Sequence, residues 1–236
     1  MTKAAKPCHP SRPEHRKILA VDIGGTHVKV RASGHNRSRE VASGPDMTAQ
    51  QMVGAVKDMS KDWSYDAMSL GYPGPVTHNR PVLEPANLGS GWCGYDYQAA
   101  FGCPVKIIND ALMQAIGSYE GGRMLFLGLG TGLGSAMIVD YVAQPMELAH
   151  LPYKKNRTFE DYLGKAGRKR LGKKRWRKHV FKVVEQLRKA MEPDYIVIGG
   201  GDVKKLHKLP PGCRAGDNAN AFKGGFRVWD EHGVRV

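Results

Sequence analysis

The chain has 236 residues, 41% hydrophobic and 25% charged, a balance that suits a globular protein and excludes a disordered or fibrous one. At roughly 150 residues per domain, this length allows one large or two small domains with a sizeable core. The formal net charge of +14 raises nucleic acid, an acidic membrane surface or a phosphate polymer as partners, against the plainer reading of a solvated basic surface.

Cysteine usage and the N-terminus narrow the class further. Cys8, Cys93, Cys103 and Cys213 show no C-x-x-C spacing, so neither a zinc ribbon nor a disulfide framework is signalled. The opening "MTKAAKPCHPSRPEHRK" is basic and contains proline but no apolar core, unlike a secretory signal. No apolar run approaches the roughly 20 residues of a membrane span. The expectation is a cytoplasmic protein with no membrane partner.

In chain order, residues 1 to about 16 read as a flexible tail. "KILAVDIGGTHVKVRAS" then reads as a strand over Ile18 to Val21, a Gly24-Gly25 turn, and a strand over Val28 to Ala32. "TAQQMVGAVKDMSKDW" has helical spacing with Thr48 as its N-cap. "YDAMSLGYPGPV" is a short strand entering a Gly/Pro loop. "CPVKIIND" is a strand, and "DALMQAIGSYEGG" a helix ended by glycines. "LFLGLGTGLGSAMIVD" places glycine at every second position from Gly128 to Gly134 between apolar runs. "RTFEDYLGKAGRKRLGKKRWRKHVFKVVEQLRKAM" is largely helical and basic, with Trp176, Val180, Val183, Val184 and Leu187 on its apolar side. "EPDYIVIGGGDVKKL" is a strand, a glycine turn and a helix start, and "GDNANAFKGGFRVW" holds a last helix. Alternating strands and helices interrupted by hairpins argue for an α/β fold with mixed sheets. One glycine hairpin in each half hints at two similar lobes.

Glycine-rich loops expose backbone N–H groups to anions, because no Cβ blocks close approach. The segment around Thr131 fits neither of the two common loops. No stretch matches G-x-x-x-x-G-K-[ST], and the spacing here is G-x-G-x-G-x-G followed by strand-like "SAMIVD", not by the helix a dinucleotide fingerprint requires. A hairpin whose tip wraps a phosphate, with the Thr131 hydroxyl added, fits better. A ligand-free tight hairpin needs only one or two glycines. In "VDIGGTHVKV", Asp22 precedes Gly24, Gly25 and Thr26 and is placed to hold Mg²⁺ directly or through water. The plainer reading is an ordinary two-residue hairpin turn. Together the two loops would clamp one polyphosphate.

"AVDIGGTHVKV" and "LGLGTGLGSAMI" resemble the two phosphate motifs of the sugar kinase, hsp70 and actin superfamily. In order, "GYPGPV", "PANLGSGW", "IIND", "ELAH" and "YIVIGGG" resemble the ROK family of sugar kinases, from about Ile18 to about Leu206. The polyphosphate glucokinase subfamily is echoed in the "GTGxGSA" wording and in a basic helix before the glycine triplet. The resemblance implies a two-lobed actin-like α/β fold with a ligand cleft between an N-terminal lobe (1–110) and a C-terminal lobe (111–236). It implies a hexokinase or glucokinase that transfers a phosphoryl group from polyphosphate or ATP, with Mg²⁺, to the 6-hydroxyl of glucose or a related hexose, and a homodimer.

By the same resemblance Asp110 is the catalytic base; by local pattern alone, Asn109 and Asp110 would simply cap a helix. The helix N-terminus is expected to favour the charged form of Asp110. Asn87, Asn109, Glu147, His150 and Glu160 match sugar-contact positions, with Asp161 a rival to Glu160 and Ala149 replacing a family glycine. Gly24, Gly25, Thr26, Gly130, Thr131 and Gly132 would hold donor phosphates, and Gly199 and Gly200 would face adenosine or serve as a packing turn. "LPYKKNRTFE" stands where many family members carry a cysteine-rich zinc motif, so no structural zinc is expected.

Two readings compete over the basic segment from Lys165 to Lys189, which only Glu185 opposes: a solvated helix face, or a track for polyphosphate. A sugar-binding sensor or regulator is the alternative function. About 17 residues before the first strand are too few for the helix-turn-helix of family repressors. No recognised motif supports specific nucleic-acid binding.

Overall fold

The computed structural model describes residues 16–236, so nearly all of the tail expected over residues 1–16 lies outside the described residues. The elements in order are β1 (Ile18–Ile23), β2 (His27–Ala32), β3 (Arg39–Ala42), α1 (Ala49–Ser60), β4 (Ala67–Tyr72), β5 (Val76–Thr77), β6 (Arg80–Pro81), α2 (Tyr97–Phe101), β7 (Val105–Asn109) and α3 (Asp110–Ser118). There follow β8 (Arg123–Leu129), β9 (Leu133–Val139), β10 (Val142–Met146), β11 (Pro152–Lys154), β12 (Arg157–Thr158), α4 (Phe159–Leu163), α5 (Lys165–Met191), β13 (Tyr195–Gly199), β14 (Cys213–Ala215) and α6 (Asn220–Arg227).

Two five-stranded sheets repeat one connectivity. In the first, ordered β3-β2-β1-β4-β7, an antiparallel meander of β1, β2 and β3 is extended by parallel β4 and β7. In the second, ordered β10-β9-β8-β13-β14, a meander of β8, β9 and β10 is extended by parallel β13 and β14. The parallel strands read as apolar runs because both faces are covered; every residue of β4 is buried. The expected mixed-sheet α/β architecture is therefore present.

Local chemistry accounts for the helices. The Thr48 hydroxyl accepts the Gln51 N–H (3.3 Å) and the Gln51 side chain accepts the Thr48 N–H (2.8 Å), a reciprocal cap that starts α1. Met52, Val53 and Val56 then face the first sheet's core. Trp176, Val180, Val183, Val184 and Leu187 of α5 are all buried against the second sheet, as their spacing indicates. Two details differ from the sequence reading. The basic helix is broken at Gly172, whose φ of 74° and ψ of 155° are not helical. The segment after the glycine triplet forms only a short 3-10 turn, Val203–Lys205, rather than a helix start. The segment over "LPYKKNRTFE" folds as the β11–β12 hairpin and is packed by aromatic rings, with Tyr153 set edge-on to Phe159, Tyr162 and His179.

The C-terminus returns to the first sheet. Helix α6 packs on α3, β1 and β4. The α3–α6 crossing needs bare backbone: a Cβ on Gly117 would lie 1.9 Å from the Asn220 carbonyl oxygen, and one on Gly224 only 1.8 Å from that of Met113. Buried Ser69 locks the return, donating to the Gly225 carbonyl (2.5 Å) and accepting from the Trp229 indole (2.9 Å).

Candidate functional site

The first glycine hairpin is held from its own lobe. Asp22 of β1 pairs in register with Lys29 of β2. The Gly24 N–H donates to the His27 carbonyl (3.0 Å), the Ser43 hydroxyl to the Gly24 carbonyl (2.6 Å), and the Ser43 N–H to the Thr26 carbonyl (2.9 Å). A Cβ on Gly25 would come within 2.9 Å of the Asn87 Cβ, so the Asn87 loop rests on the hairpin tip. That loop is shaped by Glu84, whose carboxylate accepts the N–H groups of Trp92 (3.1 Å) and Cys93 (3.0 Å).

Asp22 and Asp110 share the carboxyl ends of the parallel strands β1 and β7, on either side of β4. At about 4.8 Å per strand spacing, their backbones stand roughly 10 Å apart. This is where open parallel sheets place ligands. Asn109 ends β7 and caps α3: its Oδ1 accepts the Leu112 N–H (3.1 Å), and its Nδ2 donates to the Gly74 carbonyl (3.1 Å) in the Gly/Pro loop. One N–H of its amide remains for a ligand. Asp110 opens the helix and accepts the Ala111 N–H (2.7 Å).

The charge state of Asp110 differs from the sequence expectation. Burial first, then the neighbouring Asp22 and Glu147, push its carboxyl up to about 7, against the opposing pull of the Ala111 N–H. Desolvation and like charge outweigh the helix N-terminus. Burial likewise raises Asp22 to about 6, with Lys29 pulling the other way. The influence of Asp22 and Glu147 on Asp110 brings carboxylates from β1, from β7–α3 and from the turn after β10 to one place.

Glu147 caps and His150 ends the 3-10 turn Leu148–His150; their side chains are exposed and 3.7 Å apart. Buried Ser135 of β9 holds that turn in place, donating to the Met146 carbonyl (2.7 Å) and accepting the Leu148 N–H (3.2 Å). Its only signal in the sequence is a hydroxyl inside the apolar run "GSAMIV".

The second glycine hairpin, between β8 and β9, is held from downstream. A Cβ on Gly134 would lie 2.6 Å from the Ala111 Cβ, which seats β9 on the first turn of α3, next to Asp110. Glu160 of α4 accepts the Leu133 N–H through Oε2 (3.0 Å). The Lys165 N–H donates to the carbonyls of Gly130 (3.0 Å) and Thr131 (3.2 Å). At its base, the Asp202 N–H donates to the Leu129 carbonyl (2.9 Å), and Gly200 (φ 82°) leaves no room for a Cβ, which would lie 2.3 Å from the same oxygen. Gly199 is buried against Phe126. Asp202 pairs with Arg168 (2.7 Å) and with Lys205, tying α5 to the glycine-triplet turn. Sequence reasoning singled out neither Asp202 nor Arg168, since neither stands in a phosphate-loop pattern.

Among the described residues no three His, Cys, Asp or Glu side chains converge as a metal cage. The single carboxylate of Asp22 beside a glycine tip suits Mg²⁺, which keeps its waters and binds through one or two carboxylates plus substrate phosphates. Asp22 raises the cost of ionising Asp110, and a divalent cation would relieve it. Among the described residues no helix is long and apolar enough to cross a membrane, and Cys93, Cys103 and Cys213 are free thiols.

Known proteins share part of this sequence and this fold. The chain is 31% identical over 153 residues to the bifunctional enzyme NanE/NanK of Brucella melitensis, covering 58% of this chain and 28% of that protein. It is 29% identical over 158 residues to the polyphosphate glucokinase of Mycobacterium tuberculosis, covering 61% of this chain and 59% of that one. The chain thus spans under two thirds of either curated relative. Among solved structures, the inorganic polyphosphate/ATP-glucomannokinase from Arthrobacter sp. strain KM superimposes with a TM-score of 0.77 at 22% identity, over 89% of this chain and 97% of that one. A ROK family glucokinase from Streptomyces griseus, in complex with glucose and AMPPNP, gives a TM-score of 0.67 at 18% identity, over 88% and 97%. The shared fold is the two-lobed, actin-like α/β fold. Residues 18–144 match the ROK family, more than half of the chain including the first hairpin, Asp110 and the whole of the second, and the protein belongs to that family.

Proposed function

We propose that this chain is a hexokinase that phosphorylates glucose at its 6-hydroxyl, with polyphosphate or ATP as donor and a slight lean to polyphosphate. The observation that carries the reading is Asp110: a carboxylate at the mouth of parallel strands, between two glycine hairpins, with its pKa near 7. A general base works best with a pKa close to the working pH. The names of the curated relatives and of the solved neighbours support the same chemistry.

In this reading Asn87, Asn109, Glu147, His150 and Glu160 hold the sugar hydroxyls. Asp110 takes the proton of the 6-hydroxyl as its oxygen attacks the terminal phosphorus of the donor. Gly25, Thr26, Thr131 and Gly132 present backbone N–H groups and hydroxyls to the donor phosphates, while Gly24 and Gly130, whose own N–H groups donate to the His27 and Gly132 carbonyls, shape the two tips beside them. Gly199 and Gly200 form the floor beneath a nucleotide. Asp22 would hold Mg²⁺ directly or through water, and the ion would then supply charge neutralisation for the transferring phosphoryl group. The lobes divide near residue 110, with α6 returning to the first, and the active form is a homodimer.

The test is glucose 6-phosphate formation by purified protein with Mg²⁺ and either long-chain polyphosphate or ATP. Product with either supports the kinase. Polyphosphate alone gives α5 a role, and ATP alone returns it to the solvated surface. No product with either donor on any common hexose overturns the reading in favour of a sugar-binding sensor.

A further inference from the structure

We propose that Glu160 is a positioning residue of the second glycine hairpin, which aims the Thr131 and Gly132 amides at the donor together with the backbone of Lys165. This deepens the kinase reading and rests on it for the identity of the two ligands.

A trans peptide points its N–H opposite to its C=O. The carbonyls of Gly130 and Thr131 both point at the Lys165 N–H, at 3.0 and 3.2 Å. The N–H groups of the same two peptides, those of Thr131 and Gly132, must therefore point away from α5. Neither donates to another protein group among the described residues. The next amide, that of Leu133, is captured by Glu160 Oε2 at 3.0 Å. Two outward amides are thus flanked by one that the protein has tied down.

The approach is built in. A Cβ on Gly132 would lie 2.3 Å from Glu160 Oε2, so only glycine there admits the carboxylate. Helix α4 is itself fixed, because Thr158 and Asp161 form a reciprocal cap (Thr158 N–H to Asp161 Oδ2, 2.8 Å). A carboxylate beside a phosphate site repels the donor. Its presence makes sense if it supplies the acceptor that sets the hairpin. Because Glu160 also stands at a sugar-contact position in the kinase reading, sugar and donor meet on one side chain.

Glu160→Ala, Glu160→Gln and Gly132→Ala separate the roles. Binding of inorganic tripolyphosphate and of ATP is measured by calorimetry with and without glucose, and exchange of the Leu133 amide by NMR. Losing a hydrogen bond to a charged acceptor predicts about tenfold weaker donor binding in Glu160→Ala and about tenfold faster Leu133 exchange. Glu160→Gln keeps an acceptor oxygen, so donor binding stays within about threefold while the glucose KM rises. Gly132→Ala, which has no positive φ to strain, displaces the Glu160 carboxylate, so it weakens donor binding and raises the glucose KM together. Donor affinity and Leu133 exchange at wild-type values in Glu160→Ala would overturn the proposal and leave Glu160 a sugar ligand only. If the wild-type protein transfers no phosphoryl group, the kinase reading fails, while Leu133 exchange still decides whether the clamp exists.

Discussion

The two glycine hairpins occupy matching places in matching sheets, yet they are supported in opposite ways. The first rests on two loops: Ser43 ties down its tip, and the Asn87 loop leans on Gly25. It carries an acid, Asp22, within its own strand. The second hairpin carries no acid and is set by residues 27 to 73 positions further along the chain, Glu160, Lys165, Gly200 and Asp202. A hairpin that rests on loops keeps its shape as long as those loops do. One gripped by α4, α5 and the glycine-triplet turn changes only if those elements change with it. In the kinase reading the first hairpin would hold the cation, and the second would report what binds near α4.

The largest effect is expected at the residue between the hairpins. Asp110→Asn should lower kcat by about 10²–10⁴-fold while glucose binding, followed by calorimetry, stays within a few-fold. In the wild type, kcat/KM should rise with pH to a knee near 7, where the Asp110 carboxyl ionises. Its folded-state pKa lies above the unfolded value. Its contribution to stability is therefore fully present below about pH 4 and is lost as pH climbs through 7. The asparagine variant escapes that loss. It should melt higher than wild type at pH 8, by about 2 kcal/mol in stability, and show little difference at pH 4. An equal Tm at pH 8 would mean that Asp110 is not desolvated as described.

Next come the supports. Gly200→Ala places a Cβ against the Leu129 carbonyl in a left-handed backbone and should destabilise by about 2–4 kcal/mol, read as a lowered Tm. Gly130→Ala meets open space and should fold within about 0.5 kcal/mol of wild type, while the added methyl on the donor side raises the donor KM. Equal stability loss in both would erase the distinction between the base of the second hairpin and its tip. On the first hairpin, Asp22→Asn should raise the Mg²⁺ concentration for half-maximal rate several-fold and leave the glucose KM near wild type. An unchanged Mg²⁺ requirement would remove the cation from that hairpin.

Much of this was legible in the sequence, for physical reasons. Period-two glycines between apolar runs mark a hairpin with bare backbone, and Thr48 followed three residues later by Gln51 marks a helix start. The apolar side of α5 follows from spacing alone. What stayed hidden depends on long-range geometry. The raised pKa of Asp110 comes from burial and from Asp22 and Glu147, 88 and 37 residues away in the chain, while the helix N-terminus that pulls the other way is local and visible. Ser135 reads as one more strand residue until Glu147 is found beside it. The Gly172 break falls within a run of lysine and arginine that carries no capping signal, and the Gly117–Gly224 crossing joins residues 107 apart.

The smallest effect is expected on α5, and it separates the hairpins by donor. Gly172 divides the basic segment: before it, Arg168 is engaged with Asp202 beside the second hairpin; after it, Lys174, Lys178 and Lys182 recur every four residues on an exposed face. Residues four apart share one side of a helix, so these three ammonium groups form a stripe about 12 Å long. Each phosphate they neutralise releases a counterion, and polyphosphate binding should weaken with salt accordingly. Reversing all three to glutamate should raise the polyphosphate KM about twofold at low salt and flatten its dependence on ionic strength. The ATP KM should stay near wild type, because in the kinase reading a short donor would end at the hairpins, short of this face. An ATP KM that rises in step would mean that the reversal disturbs the second hairpin through Arg168, and that α5 works on the donor site from within rather than as a track leading away from it.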